Sequence, residues 1–181
     1  MIELLELVYS DQLGGFTDDR RRHSVAVGRK AAFASELVEA SVRADLVSAA
    51  TLHDIGYGHV DTGFHPLDGA RYLRSIGFSP SVCHLVIHHS ASSLQADERG
   101  LDRSIFDEFA VDVDPGAAHA VLWWADMTTG PRGEDVTVED RLAEICERYG
   151  PDELVTRFIG RAREVLLKAG QSPVGSIQVP V

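Results

Sequence analysis

Apolar residues three and four positions apart recur along most of the chain with polar residues between them, the pattern of helices that each bury one face. From Arg21 to about Glu39 the stripe is His23, Val27, Ala31, Ala34 and Val38, behind Thr17-Asp18-Asp19, residue types that cap helix starts. Arg43–Asp54 differs: Ala44, Leu46, Val47, Ala49, Ala50 and Leu52 make it apolar nearly all round, which predicts a helix in the middle of a bundle. Gly56 is expected to stop it. After a glycine-punctuated loop to Phe64, His65-Pro66 starts a helix through Ile76, and Ser79-Pro80 starts another through His89. Ser90 to Asp102 reads as a polar excursion and Arg103–Phe109 as a short helix. Gly116–Met127 is a compact apolar helix, Thr128–Asp135 a loop, and Val138–Tyr149 and Asp152–Lys168 are amphipathic helices split by Gly150-Pro151. No alternating strand pattern extends beyond a few residues. The expectation is all-α: one bundle of six to eight helices over residues 1–170, with a flexible tail at 171–181.

Composition narrows the partners. A chain of 181 residues suits one core, and 17 basic against 28 acidic residues give a formal charge of −11. That sign is wrong for gripping a phosphate backbone, so no nucleic-acid polymer is expected as partner. No stretch of ~20 apolar residues is present, and Met1–Tyr9 carries two Glu and no Lys or Arg, unlike a secretory leader. The expectation is a cytoplasmic protein without a membrane partner. Cys83 and Cys146 are far apart and lack CxxC spacing, so both read as small buried apolar residues.

Histidine is the unusual count: eight in all, with six between residues 53 and 89. Asp126 ends the most apolar helix, and a carboxylate among such neighbours costs several kcal/mol unless paired. His53-Asp54 poses the same problem at the end of the central helix, and His23 lies on the apolar stripe of its own helix. Three helices thus deliver imidazole or carboxylate to the interior, and a divalent metal is the simplest partner for all of them. Successive helical residues project about 100° apart, so His53 and Asp54 share an ion only just beyond the helix end. His65, and His88 or His89, can line the same cleft from the other side. One ion would take His23, His53, Asp54 and Asp126, and a second would take His65 and His88 or His89, with Asp54 bridging. Nitrogen and oxygen donors without thiolate favour Fe, Mn, Co, Ni or Mg over structural zinc.

These residues also form a known pattern. His23, then His53-Asp54, then Asp126 resembles the H…HD…D signature of the HD superfamily of metal-dependent phosphohydrolases, and Leu52-His53-Asp54-Ile55-Gly56 resembles its HDIG form. His65-Pro66-Leu67-Asp68-Gly69-Ala70 and Val86-Ile87-His88-His89 are similar to segments of the two-metal branch. The resemblance, over about residues 20–130, implies a helical bundle with central metals that hydrolyses a phosphoester, often in a nucleotide. It favours His88 as the ligand, with His89 as a substrate or supporting contact.

Two departures stand out. Tyr57 occupies a position where many relatives have lysine, and Ser90-Ala91-Ser92-Ser93 replaces the GYP-type segment of cyclic-di-nucleotide phosphodiesterases. The expected activity is hydrolysis of a small phosphorylated metabolite or nucleotide, with Asp54, His65, His89 and Arg132 in catalytic roles and two divalent ions, Fe or Mn first. Arg22 is a second candidate for phosphate. Alternatives are a diiron oxygenase of the same superfamily cleaving a C–P or C–C bond, and a metal-braced module that binds a nucleotide or protein. His59 reads as a solvated loop residue, His84 and His119 as structural, and Trp123 and Trp124 as core.

Overall fold

A computed structural model describes residues 16–112 and 115–171. Among them are eight α-helices and no strand: α1 Asp18–Phe33, α2 Arg43–Leu52, α3 His65–Ser75, α4 Pro80–Ile87, α5 Ser92–Glu98, α6 Ala117–Met127, α7 Val138–Tyr149 and α8 Leu154–Ala169. Short 3₁₀ turns join several of them, including Ile55–Tyr57 and Arg103–Phe109. The protein is all-α. None of the described helices is long and apolar enough to cross a membrane. Apart from Gln171, the predicted tail lies outside the described residues.

Two apolar clusters organise the bundle. In the larger, α2 is central and packs on α1, α4 and α6 with Leu46, Ala49, Ala50 and Leu52 fully buried, as its all-round apolar pattern predicts. The smaller joins Val138, Leu142 and Ile145 of α7 to Phe158, Ile159, Ala162 and Leu166 of α8, and reaches Met127 at the end of α6. Trp123 packs against both. Cys83 is buried in the larger cluster, where desolvation pushes its thiol up to about 11.

The structure revises two local expectations. The segment after His89 holds α5, whose buried face of Ser92, Gln95 and Ala96 is too short and polar to give a clear period. Gly56 does not terminate α2 through a left-handed conformation, because its φ is not positive. Its role is proximity: a Cβ there would lie 2.1 Å from the His65 carbonyl oxygen and 2.6 Å from the Gly69 nitrogen. Only a glycine lets the turn after α2 lie directly on the backbone of α3.

Candidate metal centre

The geometry begins at helix ends. Thr17 caps α1, its Oγ1 accepting the Arg20 N–H at 3.3 Å, and this start puts Arg20 one turn ahead of His23 on the same face. His53 ends α2 and Asp54 opens the 3₁₀ turn that follows. His65 begins α3, and the Asp68 carboxylate in its first turn accepts the backbone N–H groups of Asp61, Thr62 and Gly63 at 2.9–3.2 Å. The preceding loop is thereby folded onto the helix start. Asp126 comes from the last turn of α6.

Three imidazoles are locked in the same way. The Nδ1–H of His23 donates to the Gly130 carbonyl at 3.1 Å, that of His53 to Ala50 at 2.8 Å, and that of His89 to Val86 at 2.6 Å. A carbonyl oxygen only accepts, so each Nδ1 carries a proton and each ring turns its Nε2 inward. There they meet carboxylates: His23 Nε2 is 3.1 Å from Asp126 Oδ1, and His53 Nε2 is 3.6 Å from both Asp126 Oδ1 and Asp54 Oδ1. His65 Nε2 lies 3.5 Å from Asp54 Oδ1 and 3.2 Å from His89 Nε2. His53 Nε2 is buried and has no hydrogen-bond partner.

A divalent cation placed between them would serve these nitrogen and oxygen donors together. Metal–ligand bonds of about 2.0–2.2 Å put neighbouring donor atoms about 3.0–3.5 Å apart, so these separations fit shared coordination. Among the described residues, His23-His53-Asp54 and Asp54-His65-His89 are the groups whose donor atoms all lie within 4.8 Å of one another, and Asp54 belongs to both.

Neighbouring groups tune the carboxylates. Burial works to raise the Asp54 carboxyl, but the Arg20 guanidinium, bonded to Oδ2 at 2.5 Å, and the nearby imidazoles outweigh it and hold the group well below the carboxylate range. Burial opposes the ionisation of Asp126 too, yet His53, His23 and His89 hold it low, and the Ser90 hydroxyl donates to its Oδ2. Burial lowers the pKa of His65 and His89, against the pull of the carboxylates. Tyr57 stacks on the His65 ring at 4.1 Å, and Arg20 lies 3.6 Å from the centre of the same tyrosine ring.

A brace from α1 holds the loop that serves His23. Lys30 Nζ donates to the Thr128 carbonyl at 2.6 Å and pairs with Asp135 at 2.7 Å, while Thr129 and Asp135 form an isolated bridge. The Gly130 carbonyl is thus fixed in position.

His23, His53, Asp54, His65 and Asp126 converge, while the expectations for His88, Arg132, Arg22 and His59 are corrected. His88 is not in the centre. It caps α4, and its ring packs with His84, His119 and Phe106, while its carbonyl accepts the Trp123 indole N–H at 2.9 Å. His89 takes the inward place because Ser90 (φ 45°) and Ala91 (φ 60°) are both left-handed and kink the chain directly after it. Such conformations cost non-glycine residues about 1–3 kcal/mol each and persist only where surrounding contacts impose them. Arg132 is exposed, with its backbone N–H donating to Glu134, and Arg22 is more than half exposed beside Asp19. Arg20 is the arginine that reaches the centre. Its signal was present in the sequence: three residues before His23, it shares that residue's helical face, which Arg22 does not. His59, read as solvated, is stacked on Tyr72 at 3.4 Å.

Above the centre lies a cleft of about 600 Å³, counting space open to solvent, between the metal-type residues and the α7–α8 hairpin. Asp54, His65 and His89 line one side, with Arg141, Tyr149 and Phe158 among the residues of the other.

The model of the HD domain family matches residues 20–152, which takes in every one of these residues except Phe158. The chain belongs to the HD domain family. Neither the curated proteins nor the solved structures include a match to it. HD domains are generally metal-dependent hydrolases, and here the domain brings its His and Asp residues into clusters able to hold divalent metal.

Proposed function

We propose that the protein is a metal-dependent phosphohydrolase acting on a small phosphorylated molecule, with two divalent ions, iron or manganese by preference, held by His23, His53, Asp54, His65, His89 and Asp126. The observation that carries this reading is the set of three Nδ1-locked imidazoles turned toward two buried carboxylates. Bound divalent ions supply Lewis-acid polarisation of the phosphoryl oxygens and lower the pKa of a bound water toward neutrality.

The chain's own groups supply the rest. Asp54 offers Oδ1 to both ligand groups while Arg20 holds Oδ2, which fixes the carboxylate plane. The Arg20 guanidinium over Tyr57 brings positive charge beside position 57, where many relatives have lysine. His65 is anchored by stacking on Tyr57 and lines the cleft, which fixes its ring beside the place a phosphoryl group would occupy. Ser90 holds Asp126 in place.

The test combines elemental analysis, thermal unfolding and a phosphoester panel on protein loaded with Mn or Fe. Metal should raise the melting temperature, since binding at a thousandfold excess over Kd adds about 4 kcal/mol. Asp54→Asn should abolish both that rise and the turnover. Retained metal and undiminished hydrolysis in Asp54→Asn would refute the assignment. Oxygen consumption on a phosphonate or polyol, with no phosphoester turnover, would replace it with the oxygenase reading.

A further inference from the structure

Three guanidinium groups line the cleft above the metal-type residues, in a protein of net charge −11. Arg20 is spoken for by Asp54. The other two, Arg141 and Arg148, lie seven residues apart on one face of α7, beside the face whose Val138, Leu142 and Ile145 pack on α8. Both also line a second opening of about 1030 Å³, counting space open to solvent, shared with Arg20, Asp54 and Tyr149.

Their local charge is not balanced. Among the described residues Glu144 is the carboxylate that serves both, with Arg141 Nη1 at 2.6 Å and Arg148 Nε at 3.1 Å, so two cations share one carboxylate. Arg141 is only 7% exposed, and its Nε is buried without a hydrogen-bond partner. An arginine placed merely to pair with Glu144 would lie at the surface, where water satisfies the remaining N–H groups. A buried guanidinium with an unsatisfied donor on a cleft wall is instead suited to an anion entering that cleft.

We propose that Arg141 and Arg148 form a second anion subsite, which takes a carboxylate or phosphate that the substrate carries in addition to its reacting phosphoryl group. The preferred substrates are therefore small phosphoesters with two anionic groups. This rests on the phosphohydrolase reading for the group at the metal side of the cleft, while the subsite itself rests on α7. Apolar residues such as Ile145, Val155 and Phe158 in the same cleft suit the carbon skeleton between the two charges.

The experiment uses the full metal-loaded chain and two probes that differ by one charge, phenyl phosphate and 4-carboxyphenyl phosphate. It compares KM and calorimetric Kd, because the carboxylate also alters the leaving group. The wild type should favour the carboxylated ester by about tenfold or more, the worth of one charge-assisted pair. Arg141→Gln should bring that ratio close to one, and Arg141→Lys should recover part of it. Arg148 is half exposed, so Arg148→Gln tests the same ratio even if Arg141→Gln fails to fold. Equal KM and Kd for the two esters in the wild type, or a preference that survives both Gln variants, overturns the subsite. A Kd preference without turnover of either ester leaves the subsite standing and removes the hydrolase reading.

Discussion

Four imidazoles of this protein, those of His23, His53, His65 and His89, meet two buried carboxylates, whereas His84, His88 and His119 meet one another and Phe106. Both groups are dense in rings, with centroids 4.4–6.0 Å apart in the second and 5.1–5.3 Å in the first. Only the first gathers three or more donor atoms within 4.8 Å among the described residues. The difference lies in how the rings are held. In the first group backbone carbonyls fix three protons on Nδ1 and anions wait opposite Nε2; in the second, half-buried rings shelter one another, and the bond of His84 to the Phe109 carbonyl at 2.8 Å has no carboxylate opposite it among the described residues. A histidine cluster becomes a cation site through its carboxylates and its outer hydrogen bonds, and proximity of rings is not sufficient.

The sharpest way to break this contrast is a matched pair of substitutions. His53→Gln should lower metal affinity by about 100-fold or more and remove hydrolysis, while His88→Gln should leave metal content within about twofold of wild type. Elemental analysis after dialysis against a weak chelator checks both. Equal metal loss in the two variants would erase the distinction between the groups.

A smaller effect separates ligand from support. Ser90→Ala keeps every proposed ligand but frees the Asp126 Oδ2, and metal affinity should fall about 10-fold, the lower end for lost outer-shell partners. Competitive titration against a fluorescent chelator measures it. An unchanged affinity would show that the kink at Ser90 and Ala91, without the hydroxyl, suffices to set the site.

The smallest effect belongs to the second group. Burial, then the neighbouring His84 and His119, push His88 down to about 4. The unfolded chain protonates this ring near 6.5. Its neutral form is therefore the one that favours folding: the contribution is intact above pH ~6.5 and is lost as pH falls toward 4. His88→Phe should remove about 1 kcal/mol of acid-side destabilisation, less than the full linkage value because the ring is partly solvated. Urea unfolding at pH 7.5 and pH 5 with chelator present, as a difference between variant and wild type, reads this directly. An identical pH dependence in both would assign the acid sensitivity elsewhere.

Much of the centre was legible because it rests on local rules. His23, His53, Asp54 and Asp126 violate the apolar patterns of their own helices, and that violation is visible in one dimension. The choice between His88 and His89 was not, since it turns on two left-handed residues, neither of them glycine, that only tertiary contacts can enforce. Arg141 and Arg148 were hidden for a different reason. Their helix reads as an ordinary amphipathic segment, and its position over the centre is fixed by the docking of α7 and α8 through contacts distant in sequence. The role of Gly56 is not legible in the sequence, because a helix stop and a close backbone approach call for the same residue.

The cleft has walls of separate construction. Its floor is anchored in the large cluster around α2, and its roof is the α7–α8 hairpin, held by apolar residues of its own. Changes of side chain on the roof and ligand changes on the floor should therefore combine additively in free energy wherever they do not touch Trp123 or Met127. A protein built this way allows one helix pair to be repainted in shape and charge while the histidines and carboxylates of the floor keep their places.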